Sequence, residues 1–441
     1  MGAGAATFGQ VSPLVRLGYA STVDSADHYY LFCYFAGGWD ILLSLDPRDP
    51  MVFTPGAIQS TGIYPGYEHL IGTDGQLQYS SSGEMFGPYM TPLMPWLDHM
   101  TIIRGMSMET LTHAAGMRRF LTGRPPSGLQ ARGSSAATWL AAATGESEAI
   151  PNLSLGVESY NVDQPNFASG LKVNSLADLI LALQAGDPAL HSLQEAQLNA
   201  LLSQFAMCES QSSSPFIQSA QASRIKAAEM VAANYASEFD IMQNNDPLTL
   251  QIRDNFGIVG NVGVNSREAQ AAAAVIALMS GMTRVASVRV AANLDTHFED
   301  NWTEDQGPNQ EQGFQIIAAM MKTLNENEYK GSGSSWLDHT TIVGFSEFSR
   351  TALLNGNMGR DHSLTNACFL AGGDIKGGQI IGRSSDVGMI PTPTNLTTGI
   401  SEPGGEIIRP EHIHAALLSK VGLTDKETDL RVEPLTAIFK S

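Results

Sequence analysis

A chain of 441 residues with 43% hydrophobic and 16% charged side chains can bury a large core and is too apolar on average for a disordered, solvating protein. Acidic residues outnumber basic ones 44 to 25, so the net charge of −19 lacks the basic footprint that nucleic acid requires and disfavours an anionic membrane surface. Cys33, Cys208 and Cys368 are far apart and form no C-x-x-C pair, which argues against a zinc ribbon, a thioredoxin-like site or a disulfide framework. Each is expected to pack as a small apolar residue, with one disulfide left open. No run of eighteen apolar residues is present to span a membrane.

Residues 1–26 open with Met1-Gly-Ala-Gly-Ala-Ala-Thr7, followed by further small and apolar residues; they read as a flexible arm or as the remnant of an export signal. Next comes His28–Ala36, a short uninterrupted aromatic and apolar run that stops at Gly37-Gly-Trp-Asp40. This predicts a strand buried on both faces, running into a tight loop. Residues 45–90 are rich in Gly, Pro, Ser and Tyr and predict a long ordered excursion near the end of that strand. Further strands are expected at Met100–Arg104, Leu153–Val157, Val285–Ala291, Thr340–Phe345 and Cys368–Ala371. Helical spacing marks His113–Thr122, Glu268–Met282, Gln310–Asn327 and Glu411–Val421. Strands alternating with helices give an α/β fold with a largely parallel sheet, residues 27–441 forming one domain. The Ala-, Leu-, Gln- and Ser-rich stretch at about 175–280, including Ile225–Phe239, reads as a mainly helical insertion, and Gly331–Ser335 as a helix-to-strand loop. Met279, Met282 and the methionines of Ala318-Ala-Met-Met321 read as core packing.

In such a sheet ligands gather beyond the carboxyl ends of the strands. Four places there carry candidate chemistry: Asp40 after two glycines, Thr112-His113 before a helix, Asp295-Thr-His297, and Ser346-Glu-Phe-Ser-Arg350 with Gly359-Arg-Asp-His362. Asp295 and His297 are two apart, so on extended backbone both reach one cation, although a solvated loop pair has the same spacing. Glu347 and Arg350 read either as site residues or as a salt bridge, Asp361-His362 as ligands or a capping pair, and Asp40 as a ligand, a turn residue or a helix cap. Thr112 stands where a helix N-terminus would offer N–H groups to phosphate or sulfate; it is a candidate nucleophile or merely the N-cap, with Thr110 and Ser107 as rival hydroxyls. No H-E-x-x-H, Walker A or G-x-S-x-G motif is present.

Taken together and in order, Phe35-Ala-Gly-Gly-Trp-Asp40, Thr112-His113 with Leu121-Thr-Gly-Arg124, Asp295-Thr-His297, Ser346-Glu-Phe-Ser-Arg-Thr351, Gly359-Arg-Asp-His362, Gly372-Gly-Asp-Ile-Lys-Gly-Gly378 and Arg409-Pro-Glu-His-Ile-His-Ala415 resemble the bacterial DUF1501 family from about residue 28 to the end. That family looks related to the alkaline phosphatase and sulfatase superfamily. The resemblance implies an alkaline-phosphatase-like three-layer sandwich. It also implies a twin-arginine export signal, of which Met1 to about Ala20 would be part, and hence a periplasmic or extracellular location, a cytoplasmic one being the alternative. By the same resemblance Asp40 matches the acid after the first strand that holds a metal, and Thr112 lies near the nucleophile. Asp295 and His297 resemble the later acid and histidine, Glu347 the acid of an Asp-His pair, and His362 the final histidine. Phe348 stands where that pair's histidine is expected, which removes one ligand of a two-metal site; Asp361 is the candidate to compensate.

The sequence therefore leads to an exported hydrolase of small anionic phosphate or sulfate esters that uses a divalent metal ion (Zn, Ca, Mg or Mn). Asp40, Asp295, His297, Glu347, Asp361 and His362 are the expected ligands, and Thr112, His113 and Arg350 the expected catalytic groups, with Arg350 neutralising the anion. The alternative is a non-catalytic binding or self-assembling protein with a cell-surface partner, motivated by Phe348 and the large insertion.

Overall fold

Seven consecutive aromatic and apolar residues, Tyr29–Phe35, form strand β1, and every one of them is buried. The period of two divides them cleanly: Tyr29, Leu31, Cys33 and Phe35 join one hydrophobic core, and Tyr30, Phe32 and Tyr34 join another on the opposite face. A strand with two buried faces needs layers above and below it, which is why no polar alternation is visible in the run. The computed structural model describes residues 27–125, 130–184, 233–259 and 265–440, together with scattered positions between 193 and 230 and residue 263. The expected arm or export remnant at residues 1–26, Cys208, and residues 227–229, 231 and 232 of the expected helix at Ile225–Phe239 lie outside the described residues; the end of that expected helix, Tyr235–Phe239, is a 3₁₀ turn.

The remaining strands of the sheet are β2 Met100–Ser107, β3 Asn152–Leu155, β4 Leu171–Val173, β5 Val285–Ala291, β6 Thr340–Phe345, β7 Thr365–Ala371 and β8 Gln379–Ile381. They lie in the spatial order β8-β2-β7-β6-β1-β5-β3-β4. β1 pairs in parallel with β5 and β6, Cys33 standing opposite Val288 on one side and Gly344 on the other. β7 is antiparallel to both β2 and β6, while the other pairings are parallel. The principal helices are α1 His113–Thr122, α2 Ala136–Thr144, α3 Leu176–Leu183, α4 Pro247–Asn255, α5 Arg267–Met279, α6 Gly307–Glu326 and α7 Pro410–Lys420. α5 and α6 bury their apolar residues in the core that holds Leu31 and Cys33, and α1, α2 and α7 bury theirs in the core that holds Phe32. The result is the expected three-layer α/β sandwich with a mostly parallel sheet. No helix among the described residues is long and apolar enough to cross a membrane. Cys33 and Cys368 are free, buried thiols.

α7 also brings a set of buried charges against α1. Arg119 is fully buried and pairs with Glu411 at 2.6 Å and Glu109 at 3.0 Å. Beside it the Nε2 atoms of His412 and His414 are buried without a hydrogen-bond partner. Burial, reinforced by neighbouring arginines, pushes their pKa values down to about 4 and about 3. Both histidines are therefore neutral in the folded chain and take up protons on unfolding below their unfolded value of about 6.5. Their contribution is complete above pH 6.5 and is lost as the pH falls toward the folded values, at up to about 1.4 kcal/mol per pH unit for each. The urea midpoint is expected to fall between pH 6.5 and about 4. A His414→Leu variant should flatten that slope, as equilibrium unfolding at several pH values will show.

Candidate functional site

The carboxyl ends of β1, β2, β5 and β6 and the amino end of the antiparallel β7 meet at one edge of the sheet, and the candidate residues lie beyond them: His113 opens α1, Arg350 and His362 pair in a short antiparallel ribbon, and the rest are on loops. Gly37 makes the closest approach. Its φ is +115°, and a Cβ there would stand 2.7 Å from the backbone nitrogens of Leu294 and Asp295. Gly359 likewise lies against the His297 backbone, 2.2 Å from its carbonyl carbon to where a Cβ would be. These two contacts hold the Asp295–His297 loop between the β1 loop and the Asp361–His362 loop. Gly37→Ala is expected to displace Asp295 and weaken divalent-metal uptake by about tenfold or more, since both the clash and the positive φ must be relieved; metal titration of the folded variant checks it.

Three histidines converge here, each fixed at Nδ1 by a group that can only accept a proton. His113 Nδ1 lies 2.8 Å from Glu347 Oε1, His297 Nδ1 lies 2.8 Å from Asp361 Oδ1, and His362 Nδ1 lies 2.6 Å from the Leu111 carbonyl. Carboxylates and carbonyls have no proton to give, so each Nδ1 must donate, and in the neutral ring each Nε2 is left with a lone pair. All three Nε2 atoms face Asp295 Oδ1, at 3.3 Å for His113, 3.0 Å for His297 and 3.4 Å for His362. His297 Nε2 and His362 Nε2 are also 3.0 Å apart, and His113 Nε2 is buried without a hydrogen bond. Lone pairs gathered around a carboxylate suit a cation. The ligand atoms of His113, Asp295 and His362 all lie within 4.8 Å of one another. The donor set thus fits a divalent metal ion, with acceptors behind each imidazole that hold its tautomer and orientation.

The neighbouring groups tune this set. Partial burial works against ionisation of Asp295, but the hydrogen bond and charge of Arg350, aided by His113, outweigh it and hold the carboxyl at about 2. The bond to Glu347 raises the pKa of His113, whereas burial lowers that of His362. Hydrogen bonds from His297 and Asn355 lower that of Asp361. The fully buried ring of Phe348 packs against His113 and His362, with centroids 4.8 and 4.2 Å away.

The other sequence candidates are close by but differently employed. Asp40 is fully buried. Its Oδ1 accepts from the Leu42 N–H, its Oδ2 accepts from Trp302 Nε1 at 2.9 Å, and Arg360 Nε stands 3.0 Å from Oδ2. Glu347 is also buried and uses both oxygens, Oε1 accepting from the Gly37 N–H at 2.9 Å and from His113, and Oε2 from the Ser346 hydroxyl. Asp361 lies behind His297 and is steadied by Asn355 Nδ2 at 3.0 Å. Arg350 is buried; it donates to the Gly37, Gly38 and Leu294 carbonyls and, at 2.8 Å, to Asp295, so its guanidinium fixes the loop that carries the acid. Thr112 is exposed at the N-terminus of α1. Its side chain makes no capping bond and stands 3.4 Å from Thr110 Oγ1.

Sequence reasoning gave no part to Trp302, Gln306, Gln310 or Asn355. A π-helical turn at Trp302–Gln306 leads into α6 and brings the first three to the loop after β1, where Gln310 Nε2 donates to the Asp40 carbonyl and Gln306 Nε2 to that of Gly38. Trp302 and Asp40 are 262 positions apart, so no local spacing could have announced the pair.

A family model described as a protein of unknown function (DUF1501) matches residues 34–400. No curated protein matches the chain. Among solved structures, the chain is similar to a sulfatase-related chain of Bacteroides thetaiotaomicron from work on the metabolism of multiple glycosaminoglycans. The identity is 9% and the TM-score 0.37, with 94% of this chain and 77% of that one covered.

Proposed function

Because the chain belongs to the DUF1501 family, whose description assigns no function, we propose its activity from its own residues: metal-dependent hydrolysis of phosphate or sulfate esters. The observation that carries this reading is the convergence of three Nδ1-anchored imidazoles on Asp295 beside the N-terminus of α1. His113, His297, His362 and Asp295 would hold the ion, which when bound supplies Lewis acidity to an ester oxygen. The unpaired N–H groups of the first turn of α1 favour an anion at the same place. The Thr112 hydroxyl, free of a capping bond, stands at that helix end as the candidate nucleophile. Arg350 keeps Asp295 ionised and in register, and Phe348 closes the floor of the site against water.

The test is turnover of generic aryl phosphate and aryl sulfate monoesters by the full chain loaded in turn with Zn²⁺, Mn²⁺, Mg²⁺ and Ca²⁺. Hydrolysis of either ester class with any of these ions supports the proposal, and no turnover with all four contradicts it. Thr112→Val is expected to lower kcat by about 100-fold or more while metal uptake is unchanged, which single-turnover kinetics and a metal titration measure side by side.

A second reading, binding without turnover, draws on the exposed apolar side chains that flank the histidines in sequence. Leu111 lies two residues before His113, Leu364 two after His362, and Phe298 follows His297 and bridges to Met358. Metal uptake without hydrolysis, accompanied by a stable complex that Phe298→Ser abolishes, would favour this reading.

A further inference from the structure

The resemblance to two-metal enzymes places Asp40 and Glu347 among the ligands, and the geometry disagrees. Both oxygens of Asp40 are engaged inside the protein, and the cation beside them is a guanidinium. Arg360 is fully buried, stands 3.0 Å from Asp40 Oδ2, and donates to the carbonyls of Thr351, Tyr64 and Pro65 at 2.6–2.7 Å. Its charge also lies over the Trp302 ring, 4.8 Å from the centroid. An arginine tied at this many points cannot swing away to admit a metal ion, and both Asp40 oxygens are already taken by groups inside the protein. Glu347 is closed in the same way by Gly37, Ser346 and His113. Phe348, packed against His113, offers no donor atom to an ion beside Glu347.

We infer that the centre is mononuclear. Arg360 supplies, as a permanent part of the fold, the positive charge that a second ion would bring to Asp40, and the single cation sits at Asp295 among imidazole nitrogens. This rests on the reading above that a cation is bound, and it adds the number and class of the ion. One carboxylate oxygen with Nε2 atoms at 3.0–3.4 Å is a nitrogen-rich donor set, which suits zinc or cobalt; calcium and magnesium prefer shells of oxygen. His113 belongs to this set because Glu347, instead of binding an ion itself, turns His113 Nε2 toward Asp295.

The experiment is calorimetric titration of the full chain, stripped with chelator, using Zn²⁺, Ca²⁺ and Mg²⁺ separately, together with the visible absorption of the Co²⁺-loaded chain. One equivalent of Zn²⁺ is expected, bound at least tenfold more tightly than Ca²⁺ or Mg²⁺. His113→Ala and His297→Ala should each weaken it by tenfold or more and alter the Co²⁺ spectrum. Asp40→Asn, which keeps an oxygen for Trp302, should leave the stoichiometry at one. A second equivalent of comparable affinity overturns the inference while leaving metal dependence standing, and so does a preference for Ca²⁺ or Mg²⁺. Zero equivalents of every ion overturns both. Should Asp40→Asn fail to fold, the stoichiometry of the unmodified chain decides.

Discussion

Asp40→Ala will destabilise the whole fold by about 3–5 kcal/mol, because it strands a fully buried guanidinium without its anion. The variant loses the acceptor of Trp302 Nε1 and of the Leu42 N–H as well, so three donors go unpaired in one step. Urea unfolding of the full chain measures the loss. Asp40→Asn should lose less, since an amide oxygen still serves Trp302. Replacing both partners by apolar residues, Asp40→Leu with Arg360→Met, should recover much of the deficit, because a buried ion pair has a large desolvation cost and little net stabilising effect. If Asp40 were instead an accessible metal ligand, Asp40→Ala would lower metal affinity and leave the metal-free chain nearly as stable as before.

The second large effect is expected at Glu347. Glu347→Gln preserves shape but replaces a carboxylate that serves the Gly37 N–H, the Ser346 hydroxyl and His113 Nδ1 together. An amide offers one acceptor oxygen and one donor nitrogen, so it can no longer satisfy all three or hold the Nδ1–H tautomer of His113 reliably. Metal affinity should drop by about 10- to 100-fold, the usual cost of losing a group that orients a ligand, with far-ultraviolet circular dichroism unchanged. Asp361→Asn tests the same principle at His297. Its effect should be smaller, because Asp361 is exposed and more solvated than Glu347.

The sheet was readable in the sequence wherever strands are buried on both faces. Tyr29–Phe35, Val285–Ala291 and Thr340–Phe345 are continuous apolar runs, and the expected positions agree with the observed ones to within a residue or so. The three-residue edge strands Leu171–Val173 and Gln379–Ile381 carry no such run and escaped notice. So did α2, whose Ala-Ala-Thr-Trp-Leu-Ala-Ala-Ala-Thr is apolar nearly all round and shows no helical stripe. Within the site, residue types and their sheet edge were legible, because polar groups just past parallel strands have one place to gather. The division of labour was not. Whether a carboxylate faces a cation, an imidazole or a guanidinium depends on which distant loop arrives beside it, and Asp40 meets Trp302 and Arg360 only after the whole sheet has closed.

The central claim is that imidazole nitrogens grouped around Asp295 form a single cation site. X-ray absorption at the zinc edge of the chain loaded with one equivalent of Zn²⁺ tests it most directly. The predicted spectrum shows two or three imidazole nitrogens at about 2.0–2.1 Å with oxygen completing the shell, and it loses one imidazole in His362→Ala. A shell of oxygens alone, or one unchanged by His362→Ala, would contradict the account.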